Sequence, residues 1–269
     1  MIAEWFYEID EWVIFLLSAT AFLACAAIGQ RIGHRFRSQE SESALSIITS
    51  TQAATLGMFA ILIGFSFSMA VTLFEQRRTL VLDEANAIGT TDLRAQMLPQ
   101  PYAEAAQGLL RQYLGQRLSF HRDSDDDAKF RRAIAASTKI QDELWRGAAA
   151  ASAQQPLSVP IGLYVQSLNE MIDLHAKNLA ALRNRVPTSS ILLLYAIALA
   201  GLLLIGYESG LSSVRRTFPS AMIAVLVAGV ILIVVDLDRP RHGFITLGVQ
   251  PLIELETSLG SAKDISNTQ

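Results

Sequence analysis

The chain has 269 residues, 51% of them hydrophobic and 17% charged. That charged share falls below the roughly 25% of soluble domains and points to a membrane protein, while a net charge of -3 supplies no basic field for nucleic acid. The single cysteine, Cys25, can neither close an intrachain disulfide nor build a Cys/His metal cluster.

The N-terminal stretch MIAEWFYEIDEW is acidic and aromatic. A signal peptide wants a basic start, and Trp and Tyr suit a membrane interface, so the apolar run that follows reads as a retained span. That first span is residues 12–30, uncharged, with Arg31, His34, Arg35 and Arg37 directly after it. A polar link over residues 38–50 leads to a second uncharged span, residues 52–74, which runs straight into Glu75, Arg77 and Arg78. Neither Gly nor Pro breaks the pattern between Phe65 and Ile88. At about 1.5 Å per residue such a helix crosses the ~30 Å hydrocarbon layer and continues into water.

Residues 75–187 hold no further run able to cross a bilayer and read as a helical insert. The first insert helix continues the second span to about Met97 and stops at Pro99 and Pro101. The second covers residues 102–120, with Leu109, Tyr113, Arg117 and Phe120 at helical spacing. Ser124 is placed to cap a third, with Asp125 to Asp127 in its first turn and Phe130, Ile134, Ile140 and Trp145 along it. The fourth covers residues 163–186, with Leu168, Ile172 and Leu179 toward a core. Residues 189–207 form a third span. Pro219 suits the first turn of a fourth, which ends at residue 235 before DLDRPRHG. The tail, residues 245–269, has one apolar group, VQPLIELE, and then an end expected to be loose.

The expected fold is therefore all-α: a four-span helical membrane protein with a helical insert between spans two and three, the second span continuing into it. Its parts are a membrane hairpin (1–74), the insert (75–187), a second hairpin (188–244) and the tail (245–269). Four spans put both termini and the insert on one side. Arg31, Arg35 and Arg37 in one short loop and Arg215 and Arg216 in the other favour those loops as cytoplasmic. Arg77, Arg78, Arg183, Arg185, Arg239 and Arg241 on the opposing flanks weaken that count.

Chemistry-bearing groups are few. His34, His121, His175 and His242 form no H-E-x-x-H and flank no nucleophile. His175 shares a helix with Glu170 and Asp173; a half-buried helix histidine is a simpler reading than a metal or proton role. The acidic run 123–127 lacks the Gly and later Glu of an EF-hand and reads as a solvated helix start. Glu75, Arg77, Arg78, Asp83, Glu84, Asn86 and Arg94 form either surface and inter-helix salt bridges or, in a symmetric oligomer, rings around a charged vestibule. Asp236 and Asp238 with Arg239 and Arg241 read as ion pairs anchoring the end of the fourth span. Along the second span, Gly57, Ile61, Gly64, Phe65, Ser68 and Thr72 share a stripe. They either permit close helix packing or, repeated about an axis, line a pore with an apolar constriction at Ile61 and Phe65 above hydroxyls at Ser68 and Thr72.

Three stretches resemble the bacterial bestrophin-like membrane family: FSMAVTLFEQRRTLVLDEANAIGTTDLRAQMLP (67–99), LNEMIDLHAKNLAALRNRVP (168–187) and DLDRPRHGFITLGVQPL (236–252). Through that family the chain distantly resembles the bestrophins, pentameric anion channels whose second helix forms an apolar neck and runs into a cytosolic helical region. The resemblance implies neck residues at Ile61 and Phe65 with Gly57 one turn earlier, a homopentamer, a small permeant anion such as chloride, and an insert in the cytoplasm of a bacterial inner membrane. There are departures. The Trp-rich segment that ends the bestrophin neck helix is here Phe74-Glu75-Gln76-Arg77, and the acidic calcium clasp has no counterpart. Ion selectivity and calcium gating are thus carried less far than the neck itself. Two functions follow as expectations: a homo-oligomeric channel in contact with lipid, or a non-conducting scaffold or sensor whose insert binds a protein partner or lipid. No nucleophile, metal set or phosphate loop argues for an enzyme, and no cofactor is expected.

Overall fold

The computed structural model describes residues 10–37, 42–122, 127–212, 217–239, 243 and 245–266. The described residues form eight helices and no strand: α1 (Glu11–Phe36), α2 (Glu42–Ala95), α3 (Tyr102–Arg122), α4 (Asp127–Gln154), α5 (Val159–Arg183), α6 (Thr188–Leu211), α7 (Thr217–Asp238) and α8 (Gln250–Ser266). The fold is all-α, and among the described residues four stretches are long and apolar enough to cross a membrane; they lie in α1, α2, α6 and α7. Two compact units divide the described residues. A membrane unit takes those up to Leu73, Arg185–Arg239, Gly243 and Ile245. A helical unit takes Phe74–Asn184 and the residues from Thr246 on.

The second span is one helix of 54 residues and passes the unit boundary at Leu73 without a break. It also begins at Glu42, inside the stretch expected to be a polar link. Thr49, Ser50, Thr51 and Thr55 each donate their hydroxyl to the carbonyl four residues back, at 2.8–3.0 Å. Hydroxyls satisfied in this way let a polar-looking stretch continue as helix.

In the membrane unit Asp10 caps α1 by accepting from Trp12 N at 2.9 Å. The two expected hairpins are not the packing unit. α1 lies against α6, and less extensively against α7. The physical reason is a seam of small residues. A Cβ at Gly29 would overlap the Leu203 carbonyl, and one at Gly33 the Tyr207 carbonyl. From the other side, Gly206 meets Ala26 and Gly210 meets Gln30 in the same way. Backbone touches backbone along two G-x-x-x-G spacings, the arrangement by which membrane helices approach closely. Above the seam Ser18 Oγ and Tyr195 OH hydrogen-bond at 2.7 Å, and Phe22, fully buried, packs on the Tyr195 ring.

The helical unit is built on Ile88 from α2, Leu110 and Tyr113 from α3, Leu144 and Ala151 from α4, and Leu168 and Met171 from α5. Leu144, Ala148 and Ala151 make the buried face of α4 at i, i+4, i+7 spacing, which turns the neighbouring Trp145 outward to 43% exposure instead of into the core. The tail differs from the expected loose end as well. α8 buries Leu252 fully and half-buries Leu255 and Leu259 against the same core, with Leu255 over Gly89. The spacing 252, 255, 259 is a helical stripe, so the apolar group extends into a docked helix.

Candidate functional site

The six stripe residues of α2 all face outward in the membrane unit. Ile61 is 64% and Phe65 70% exposed, while Phe59, Ser66, Ala70 and Leu73 on the opposite side of the helix are buried. Gly57 and Gly64 have nothing within 4 Å of a Cβ position, so within one chain they do not serve close packing. The small residues that do serve it are on α1 and α6. Thr72 Oγ1 donates to Ser68 O at 2.9 Å, which satisfies one hydroxyl of the stripe inside the helix itself. The second span is also the least covered of the four: 22% of its apolar window is buried, against 39% for the third.

The charged segment that follows divides in two. Glu75 and Arg78 are exposed and lie 3.8 Å apart across one turn, a pairing worth little in water. Asn86 is exposed and Asp83 half-buried. Arg94, half-buried, donates from Nη1 to Leu163 O at 2.8 Å. Arg77 and Glu84, however, are buried at 2% and 0% exposure, which removes both from any vestibule. Arg77 donates from Nε to Ala181 O at 3.2 Å and from Nη2 to Asn184 O at 2.7 Å. It thereby closes the last carbonyls of α5, where a cation suits the helix dipole.

Glu84 is the centre of a polar cluster joining the helices of this unit. Its Oε1 accepts from Tyr113 OH at 2.7 Å. Its Oε2 accepts from Arg117 Nη2 at 2.7 Å and from Asn178 Nδ2 at 2.6 Å. Gln141 Nε2 donates to Tyr113 OH at 3.3 Å, and the Arg117 guanidinium sits 4.3 Å over the Phe120 ring. His175, read from the sequence as half-buried, is 4% exposed, with Nδ1 3.8 Å from Glu84 Oε1. Burial alone would raise the Glu84 carboxyl. The Arg117 charge and the hydrogen bonds around it outweigh that effect and hold it at about 2. Burial, and then the Glu84 charge, keep the Tyr113 hydroxyl protonated well above its ordinary range. Nothing in the sequence pointed to Arg117, Tyr113 and Asn178 as partners of Glu84, because they lie on α3 and α5, far along the chain from α2.

At the end of the fourth span the acidic groups hold backbone. Asp238 Oδ1 accepts from Val186 N at 2.8 Å and Asp236 Oδ2 from Ile245 N at 3.1 Å. Arg239 reaches Glu11 Oε1 at 3.4 Å, an ion pair from the start of α1 to the end of α7. Arg241 lies outside the described residues, as do His242, Arg215, Arg216 and positions 123–126 of the acidic run. Gly243 has φ +148, and a Cβ there would come within 2.5 Å of Asp236 Oδ1. Gly243→Ala is therefore expected to lower the thermal midpoint by several degrees, at a cost of about 1–3 kcal/mol for strain and clash. An unchanged midpoint in detergent would show that this turn is not held as described. Among the described residues no group of three or more His, Cys, Asp or Glu side chains is arranged to hold a metal ion.

Comparison with known proteins gives a consistent picture. A family model described as a Bestrophin-like domain matches residues 20–252. No curated protein matches the chain. Among solved structures, a bacterial bestrophin homologue from Klebsiella pneumoniae, phased on zinc, is 15% identical with a TM-score of 0.65, covering 92% of this chain and 96% of its own. A point variant from the same organism is 15% identical with a TM-score of 0.66, covering 91% and 97%. A structure described as a membrane protein variant is 16% identical with a TM-score of 0.67, covering 92% and 96%. At these identities the likeness is one of fold.

Proposed function

The chain belongs to the bestrophin-like family, and from that membership we propose that it forms a homo-oligomeric ion channel whose pore is lined by the outward face of α2. The observation that carries the reading is the uncovered stripe on that helix, with Ile61 64% and Phe65 70% exposed. Repeated about an axis, those two positions become rings that narrow the pore and gate it by dewetting. Ser68 and Thr72 supply a hydroxylated wall one and two turns further on. Arg78, exposed beyond them, becomes a ring of positive charge tempered by Glu75 and favours anions over cations. A pentamer, chloride as the permeant ion, a bacterial inner membrane and an insert with both termini in the cytoplasm complete the proposal. It is a channel and not an enzyme.

Recording of the purified protein in planar bilayers tests this. Ile61→Ala and Phe65→Ala are expected to raise single-channel conductance at least about twofold, because the narrowest ring sets the resistance. Reversal potentials in a potassium chloride gradient report the sign of the permeant ion. No conductance under any condition, or currents indifferent to both substitutions, would sink the α2 pore. A second reading, a non-conducting scaffold or sensor, draws on Leu157 at 97% and Val159 at 71% exposure in the helical unit, apolar groups suited to a partner or lipid. Silent bilayers together with a stoichiometric complex formed by the full-length protein would favour it.

A further inference from the structure

One face of α1 is left uncovered from the middle of the span to its end. Leu17, Ala21, Ala24, Ile28, Arg31 and Arg35 follow one another at steps of four and three residues, so they share one side of the helix. All six are exposed, Leu17 at 60% and Ile28 at 50%. α6 is seated on the other side of α1, at Gly29 and Gly33. Height along the helix matters as much as phase. From Trp12 to Arg31, α1 rises about 28 Å at about 1.5 Å per residue, close to the ~30 Å of hydrocarbon in a bilayer. With Trp12 at one interface, Arg31 and Arg35, one turn apart, reach the phosphate level of the other.

We propose that this face binds one anionic phospholipid, its phosphate held between Arg31 and Arg35 and an acyl chain laid along Ile28, Ala24, Ala21 and Leu17. Two guanidiniums one turn apart can both donate to one phosphate, and each presents a planar fork that fits the phosphate oxygens. The rest of the face is apolar, and small at Ala21 and Ala24, so a hydrocarbon chain approaches the helix closely there and gains dispersion contact. A basic last turn also suits the helix dipole, which by itself would account for the sign of the charge. It does not account for two arginines in register with the uncovered apolar face. Among the described residues no carboxylate is paired with either of them. His34 and Arg37, exposed on other sides of the same turns, add to the positive field without entering the site. Charge decides which lipid is taken. A zwitterionic headgroup carries its own cation beside the phosphate, whereas a headgroup with net negative charge leaves the phosphate to the two arginines.

The test uses the full-length protein in detergent and needs no conduction, so its outcome is separate from the channel reading. Thermal midpoints are measured with added dioleoyl phosphatidylglycerol or dioleoyl phosphatidylcholine. Glycerol 3-phosphate and inorganic phosphate, which carry the anion without the chains, are the further arms. Phosphatidylglycerol is expected to raise the midpoint saturably, on the order of 3 °C, and the other three to do little. Arg31→Gln with Arg35→Gln, at two exposed positions that the fold does not depend on, shifts the phosphatidylglycerol needed about tenfold higher. Arg131→Gln with Arg132→Gln, two exposed arginines of α4, removes the same charge and leaves that titration unchanged. Native mass spectrometry counts the bound lipid, one per chain in the wild type and lost in the Arg31 and Arg35 double variant. No response to phosphatidylglycerol, equal effects of the two lipids, stabilisation by either chain-free anion, or a titration that the two double variants alter alike would overturn the proposal.

Discussion

Glu84→Gln is expected to destabilise the helical unit and to flatten its response to acid. The native carboxyl sits at about 2, below its ordinary value of 4.5, despite complete burial. A lowered pKa means that ionised Glu84 stabilises the fold fully above about pH 4.5, and that this contribution disappears as pH falls from there toward 2. The wild type should therefore lose thermal stability steeply across that window, while Glu84→Gln, with no charge to lose, should change much less. At neutral pH the variant leaves Arg117 charged, buried and without its counter-ion, a loss of about 3–5 kcal/mol by comparison with broken buried pairs. Circular dichroism melts of the full chain at a series of pH values report both effects. Parallel pH profiles for the two proteins would show that the carboxylate is not the acid-labile element.

Gly206→Val should have a comparable or larger effect, and in the other unit. A Cβ at Gly206 would meet the backbone of Ala26, and one at Gly33 the backbone of Tyr207. Backbone cannot swing aside as a flexible side chain can, so any larger residue must part α1 from α6. Overpacking of a tight interior costs about 1–3 kcal/mol per site and more where backbone must move. Gly206→Val combined with Gly33→Val is expected to leave no monodisperse protein on size-exclusion chromatography. Gly57→Ala and Gly64→Ala are the contrast, since their Cβ positions meet nothing within 4 Å. A normal elution profile for the double variant would mean that the seam does not hold the membrane unit together.

Both contrasts separate features that act locally along the chain from features that need distant partners. Four uncharged runs, the unbroken helix past Phe65 and the breakers at Pro99 and Pro101 were legible because length, hydropathy and proline act locally. The α1–α6 seam was less so. Its two G-x-x-x-G spacings are present in the sequence, but nothing local says that span one meets span three instead of span two. α8 likewise shows its stripe at 252, 255 and 259, yet only the core it meets explains why it docks.

The α2 segment makes the division clearest. Helical phase alone assigns Gly57, Ile61, Gly64, Phe65, Ser68 and Thr72 to one stripe, and the structure leaves that stripe outward. The charges after it, Glu75, Arg77, Arg78, Asp83 and Glu84, are alike in composition and differ only in what surrounds them. Arg77 found the carbonyls of Ala181 and Asn184, and Glu84 found Tyr113, Arg117 and Asn178, all distant in sequence. The four spans, the unbroken run of α2 and the phase of its stripe could be read from the chain, since these follow from bonds and contacts within a few residues, whereas the start of α2 at Glu42 and the helix α8 could not. Which charges are buried and paired was decided only by tertiary structure, because desolvation of an ion is offset only by partners that folding brings from elsewhere in the chain.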